Sequence, residues 1–211
     1  QEGYRMTKNR LIGISTSFFG IPTPEDLEAA KNAGFDCLEV CAVERWVTQP
    51  VSQTGQEWKA LAKVIKDLGL QVWSVHFPYP APYDISRLEP GMARQAIDLS
   101  REMMTAGAEY LQPQKYIIHA SHEPIDPQIR EERFKLAKQS LLELAEDATR
   151  LGGQLALECL PRTCIGNSSA EIAGLIEGNP TLGICCDTNH LLTERTEDFI
   201  RKFPGRIVSV H

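Results

Sequence analysis

Three residues stand about one structural repeat apart and share a position within it. Glu158 ends the apolar run "QLALEC" (154–159) but for one residue, Asp187 ends "TLGICCD" (181–187), and His211 ends "RIVSVH" (206–211). The steps are 29 and 24 residues. Ionisable groups are expensive inside an apolar segment, so finishing a buried run on one calls for a reason. Imidazoles follow the same rule. His76 lies in "LQVWSVHFPY" (70–79) and His119 in "KYIIHA" (115–120), while His122 and His190 follow the fourth and sixth runs closely. All five histidines of the chain therefore fall at or just past the end of an apolar run. Carboxylate oxygens and imidazole nitrogens together suit one divalent metal ion such as Mn²⁺, Mg²⁺, Co²⁺ or Zn²⁺. No local metal motif such as HExxH gathers them, so only the fold could assemble the site. A purely local reading also exists, in which Asp187 caps a turn and His190 is a surface residue.

The elements that would position these groups alternate regularly. Strand-like runs at 10–16, 35–41, 70–79, 115–120, 154–159, 181–187 and 206–211 are separated by helical stretches at 23–34, 54–69, 91–107, 126–153, 168–178 and 196–205. Thr23 and Pro24 form a helix start, and Gly34 a stop. No hairpin signal interrupts the series. Continuous apolar runs of this kind describe parallel strands buried on both faces. An open doubly wound sheet and a (β/α)8 TIM barrel both fit. No GxGxxG or GxxxxGK segment follows a strand, which argues against a Rossmann-type nucleotide site. In parallel α/β folds chemistry gathers at the C-terminal strand ends, where the polar residues lie.

Composition narrows the functional classes. The 211 residues carry a net charge of −6, which argues against a dedicated nucleic-acid binder. No apolar run is long enough to span a membrane. The six cysteines (37, 41, 159, 164, 185 and 186) form no CxxC pair. Adjacent Cys185 and Cys186 point to opposite faces of a strand, so the set reads as buried thiols without a disulfide framework. That favours a reducing compartment such as the cytoplasm. The start at Gln1 rather than Met is that of a processed or trimmed N-terminus, which leaves a periplasmic or secreted protein open.

"LECLPR" (157–162), "CDTNH" (186–190), "SVH" (209–211) and "GFDCLEV" (34–40) resemble the xylose isomerase-like TIM barrels along essentially the whole chain. The resemblance implies a single (β/α)8 domain over 1–211, of which about seven β/α units are present; such barrels typically need about 250 residues. Without an eighth strand the first and seventh would be open edges that favour association into a homo-oligomer. The resemblance also implies a metal-dependent isomerase or epimerase of a sugar, sugar phosphate or related α-hydroxy carbonyl compound. Its ketose 3-epimerase branch places metal ligands on Glu158, Asp187 and His211, with Glu158 also the proton-abstracting base. It places substrate contacts on His190 and Arg162, with His76 and His119 able to orient hydroxyls. Two further readings accompany this one. The more distant endonuclease IV branch implies a multi-metal phosphodiesterase that uses His76 and His119 as ligands, and a non-catalytic sugar-binding barrel would retain only the pocket. "PRTC" departs from the epimerase pattern, where an acidic residue follows the arginine. Glu39 reads equally as an ion-paired barrel residue or a site residue. His122 and Glu123 fit a pocket mouth or an exposed loop, and Trp46, Phe77 and Tyr79 read first as packing residues.

Overall fold

The computed structural model describes residues 10–80 and 82–211. The expectation attached to Gln1 lies outside them. Seven parallel strands form one sheet in sequence order: β1 (Gly13–Ser15), β2 (Cys37–Cys41), β3 (Gln71–His76), β4 (Lys115–Ile118), β5 (Gln154–Glu158), β6 (Gly183–Cys186) and β7 (Ile207–Val210). Between them run α1 (Pro24–Asn32), α2 (Glu44–Thr48), α3 (Val51–Asp67), α4 (Met92–Ala106), α5 (Arg130–Arg150), α6 (Ser169–Ile176) and α7 (Thr196–Lys202). This is a TIM-barrel fold, partial in this chain. The doubly wound alternative is ruled out, because an unbroken β1-to-β7 order has no reversal point.

Alternation along the strands sorts the side chains. Ile117, Ala156 and Cys185 form a small inner cluster, with Val208 against it. Their neighbours Tyr116, Ile118, Leu155, Leu157, Ile184 and Cys186 join the large core on the other face, together with Leu141, Leu144 and Ala148 of α5. The opposite facing expected of Cys185 and Cys186 is observed. Because strand side chains alternate with period two, Glu158 falls on the inner face with Ala156. Gly183 permits the close approach of β6 and β7, since a Cβ there would meet Val208 Cγ2 at 2.5 Å.

Helix starts follow the local chemistry. Thr23 and Asp26 form a reciprocal capping box at the start of α1. Two elements differ from expectation. The five-residue α2 precedes α3, which itself begins at Val51 rather than near 54; Trp46 of α2 donates through Nε1 to Glu57 Oε2 at 2.7 Å and packs edge-on against Trp58. The stretch that ends at Gly107 in the sequence reading continues through a π-helical turn to Leu111. Trp46 and Phe77 are core residues, as read from sequence. No described helix is long and apolar enough to cross a membrane.

Candidate metal and active site

Glu158 is the last residue of β5 and is only 2 % exposed. Four imidazoles from four strand ends converge on it. His76 Nε2 lies 2.9 Å and His119 Nε2 3.2 Å from Oε2. His211 Nδ1 lies 3.6 Å from the same oxygen, and His190 Nδ1 lies 3.3 Å from Oε1. Asp187 Oδ2 is 3.4 Å from His190 Nδ1. Across the curl of the sheet, His211 Nε2 meets Glu39 Oε2 at 2.9 Å, and that oxygen also accepts from Ser74 Oγ at 2.8 Å. Glu39 is thus ion-paired with His211 beside this cluster, where the two readings open to it in the sequence meet.

The donors gather into three overlapping sets: His76–His119–Glu158, Glu158–Asp187–His190 and Glu158–Cys185–His211. Glu158 belongs to all three. Asp187 and His211 each approach Glu158 but fall in different sets. His190, expected as a substrate contact, turns Nδ1 toward this cluster, but that nitrogen also lies 3.0 Å from the Cys159 carbonyl and so carries a hydrogen. Arg162 is set apart from the donors. It lies at the mouth and is ion-paired with Glu123, its Nε donating to Oε1 at 2.7 Å. Its backbone is left-handed (φ 51°), a conformation that costs a non-glycine residue about 1 kcal/mol or more. Asn167 holds it there through a 2.6 Å bond to the Arg162 carbonyl.

The hydrogen bonds of His76 test whether these residues suit a cation. His76 Nδ1 lies 2.7 Å from the Phe77 carbonyl, which can only accept, so Nδ1 carries a hydrogen. In the neutral ring Nε2 then presents a lone pair to a carboxylate oxygen. Either a proton or a cation must lie between them. A carbonyl that fixes the tautomer from behind is the usual support of a metal-binding histidine. The donor set fits a divalent metal.

The electrostatics express the same demand in protons. Burial pushes the Glu158 carboxyl up, but bonds from His119, His190, His211 and His76 outweigh it and hold the group far below the usual carboxylate range. Glu39 is also held low, chiefly by His211 and His76 against its own burial. Burial lowers His211, yet Cys185, Glu158 and Glu39 raise it overall; His76 is raised on balance by Glu158 and Glu39. Glu158 raises His190 against its burial. His119 differs, because burial keeps it below the ordinary imidazole value.

A cavity of about 1610 Å³ opens over this cluster, lined by Tyr79, His122, Glu123 and Arg162 as well as the donor residues. Tyr79 stacks on His119 with centroids 5.0 Å apart. Beside it a buried network joins three segments. Arg133 of α5 donates through Nη2 to Asp84 Oδ2 at 2.5 Å, and the same oxygen accepts from the His122 backbone at 3.0 Å. Little in the sequence points to this pair; a charged residue on the apolar face of α5 is the only signal.

Residues 27–211 match the family model described as xylose isomerase-like TIM barrel, and the chain belongs to that family. No curated sequence matches. Among solved structures the chain is similar to a D-psicose 3-epimerase crystallised with D-fructose (TM-score 0.82, 19% identity, 96% of this chain and 72% of that one). It also resembles the 3-keto-D-glucoside 4-epimerase of E. coli (TM-score 0.75, 20% identity, 95% and 77%). An L-ribulose 3-epimerase is similar too (TM-score 0.74, 24% identity, 95% and 69%). At these identities the likeness is one of fold.

Proposed function

We propose that this protein is a divalent-metal-dependent isomerase or epimerase of a sugar or related α-hydroxy carbonyl compound. The observation that carries the reading is the convergence of His76, His119, His190 and His211 on the buried carboxylate of Glu158, at the floor of an open cavity. The epimerase activities named for the structural neighbours support it.

Glu158, Asp187 and His211 would hold the metal, with Glu39 and Ser74 fixing the orientation of His211, and His190 beside them would contact the substrate. A bound divalent cation polarises a carbonyl and acidifies the adjacent C–H. Glu158 takes that proton, its carboxyl being held well below the usual carboxylate range by the surrounding histidines. Acceptance is favoured once the surrounding imidazoles have given up their own protons, because each imidazolium stabilises the charged carboxylate. His119, held neutral by burial, can orient a hydroxyl without adding charge. Arg162, which lines the same cavity, would hold the far end of a substrate.

A second reading, a multi-metal phosphodiesterase, draws support from the separate His76–His119–Glu158 set. The net charge of −6 weighs against it. Elemental analysis separates the two: one ion per chain supports the isomerase, and three support the phosphodiesterase. The direct test of the first reading is incubation of the Mn²⁺-loaded protein with a panel of ketoses and 3-keto sugars, free and as glycosides, in deuterated water. Deuterium appearing at a carbon next to the carbonyl supports it. No exchange from any ketose or 3-keto sugar would refute it.

A further inference from the structure

The main cavity does not end at the cluster. A second cavity of about 560 Å³ adjoins it, and the two share His122 and Glu123. The second is lined by Leu88, Pro124 and Ile129, and by Asp84, Arg87, Glu89 and Arg133. An aromatic ladder leads from one to the other. Tyr79, 48 % exposed, stacks on His119 at 5.0 Å and 21°, and on His122 at 6.3 Å and 13°. His119 is within 3.2 Å of Glu158, so the ladder begins at the reacting centre and ends at the ridge between the cavities.

The chemistry of the second cavity narrows what it can hold. Apolar side chains supply flat contact for the face of a sugar ring, and the more exposed Arg87–Glu89 pair offers donors and acceptors to hydroxyls. Every arginine at this end already has its counter-ion: Arg133 pairs with Asp84, Arg87 with Glu89, and Arg162 with Glu123. A phosphate arriving here would meet no free cation and would face the carboxylates of Glu89 and Glu123. A neutral ring would meet no uncompensated charge.

We propose that the second cavity is an outer subsite for a further neutral sugar ring, and that the substrate is a glycoside or disaccharide-like compound rather than a free monosaccharide or a sugar phosphate. The ring that reacts lies over Glu158. The glycosidic oxygen crosses the His122–Glu123 ridge beside Tyr79, and the second ring packs against Leu88 and Ile129. This rests on the function proposed above.

The test is equilibrium binding by the Mn²⁺-loaded protein of glucose, glucose 6-phosphate and the neutral disaccharides trehalose, maltose, cellobiose and sucrose. At least one disaccharide is expected to bind about tenfold or more tightly than glucose, and the phosphate to gain nothing. Ile129 is 38 % exposed, so Ile129→Trp can fill the cavity from its rim without entering the core. It should erase the disaccharide-to-glucose ratio, and Tyr79→Ala should reduce it, each with a melting temperature close to that of the unaltered protein. Equal affinity for glucose and every disaccharide would overturn the subsite, as would a preference that survives Ile129→Trp. Ketose exchange in deuterated water stays a separate readout: if it occurs while the disaccharide preference is absent, only the subsite falls.

Discussion

His211 and Glu39 are 172 residues apart in sequence, yet His211 Nε2 lies 2.9 Å from Glu39 Oε2. The contact joins the end of β7 to the inner face of β2 and records how far the sheet curls. It leaves the other nitrogen of the ring, Nδ1, turned toward Glu158 at 3.6 Å. Glu39 therefore positions His211 without needing to touch the substrate.

Loss of the Glu39 charge should weaken metal binding through His211. Outer partners of ligating histidines typically matter by about 10- to 100-fold in affinity. Calorimetric titration of Mn²⁺ into Glu39→Gln should show a loss within that range, and Glu39→Asp should recover part of it. An unchanged Kd would mean that His211 is oriented by something else.

Metal affinity should also depend on pH, with a defined sign. His76, His190 and His211 are held above the ordinary imidazole pKa in the metal-free protein. A group raised on folding contributes stability that is complete below its unfolded pKa and is lost as pH rises through the folded value. A metal must displace the proton of His211, and its charge disfavours those of His76 and His190, so binding strengthens upward through this window. The Mn²⁺ Kd should be at least about tenfold weaker at pH 5.5 than at pH 7.5, since each displaced proton contributes up to about tenfold per pH unit. Equal constants at the two pH values would remove His211 from the ligand set.

Much of the site was legible in the sequence because carboxylates and imidazoles finishing apolar runs are conspicuous. Glu158, Asp187, His76, His119 and His211 all sit at strand ends for that reason. Glu39 was ambiguous because its partner is reached only when seven strands curl together. His190 read as a substrate contact, but its spacing from Asp187 did not reveal that its ring also turns back to Glu158. The Asp84–Arg133 pair was hidden, since a proline-rich loop carries no periodicity that would forecast a partner on α5. The short α2 was missed because it lacks a side-chain cap and is held by the Trp46–Glu57 bond instead.

The buried Arg133–Asp84 pair should be structurally costly to break. Both residues are almost fully buried, and Asp84 also anchors the His122 backbone. Arg133→Ala leaves an unpaired buried carboxylate, a change that typically costs about 3–5 kcal/mol. Denaturant unfolding should show a loss of that order. A loss below about 1 kcal/mol would mean that water reaches Asp84 readily.

His190→Asn should separate binding from chemistry. Its ring lies 3.3 Å from Glu158 and 3.4 Å from Asp187, so the substitution removes a donor while leaving the carboxylate in place. KM is expected to rise, with kcat falling less than in a variant lacking the base and metal affinity changing little. A variant that retains an unchanged KM would show His190 to be a bystander.

The most direct measurement compares solvent deuterium entering the carbon beside the carbonyl in the unaltered protein and in Glu158→Gln, at saturating Mn²⁺. The amide keeps the shape and one coordinating oxygen but cannot accept a proton. Removing a general base typically costs about 10²- to 10⁴-fold. With Glu158 as the base, exchange should drop by that factor while Mn²⁺ binding weakens far less. Exchange at the full rate in Glu158→Gln would show that another group takes the proton.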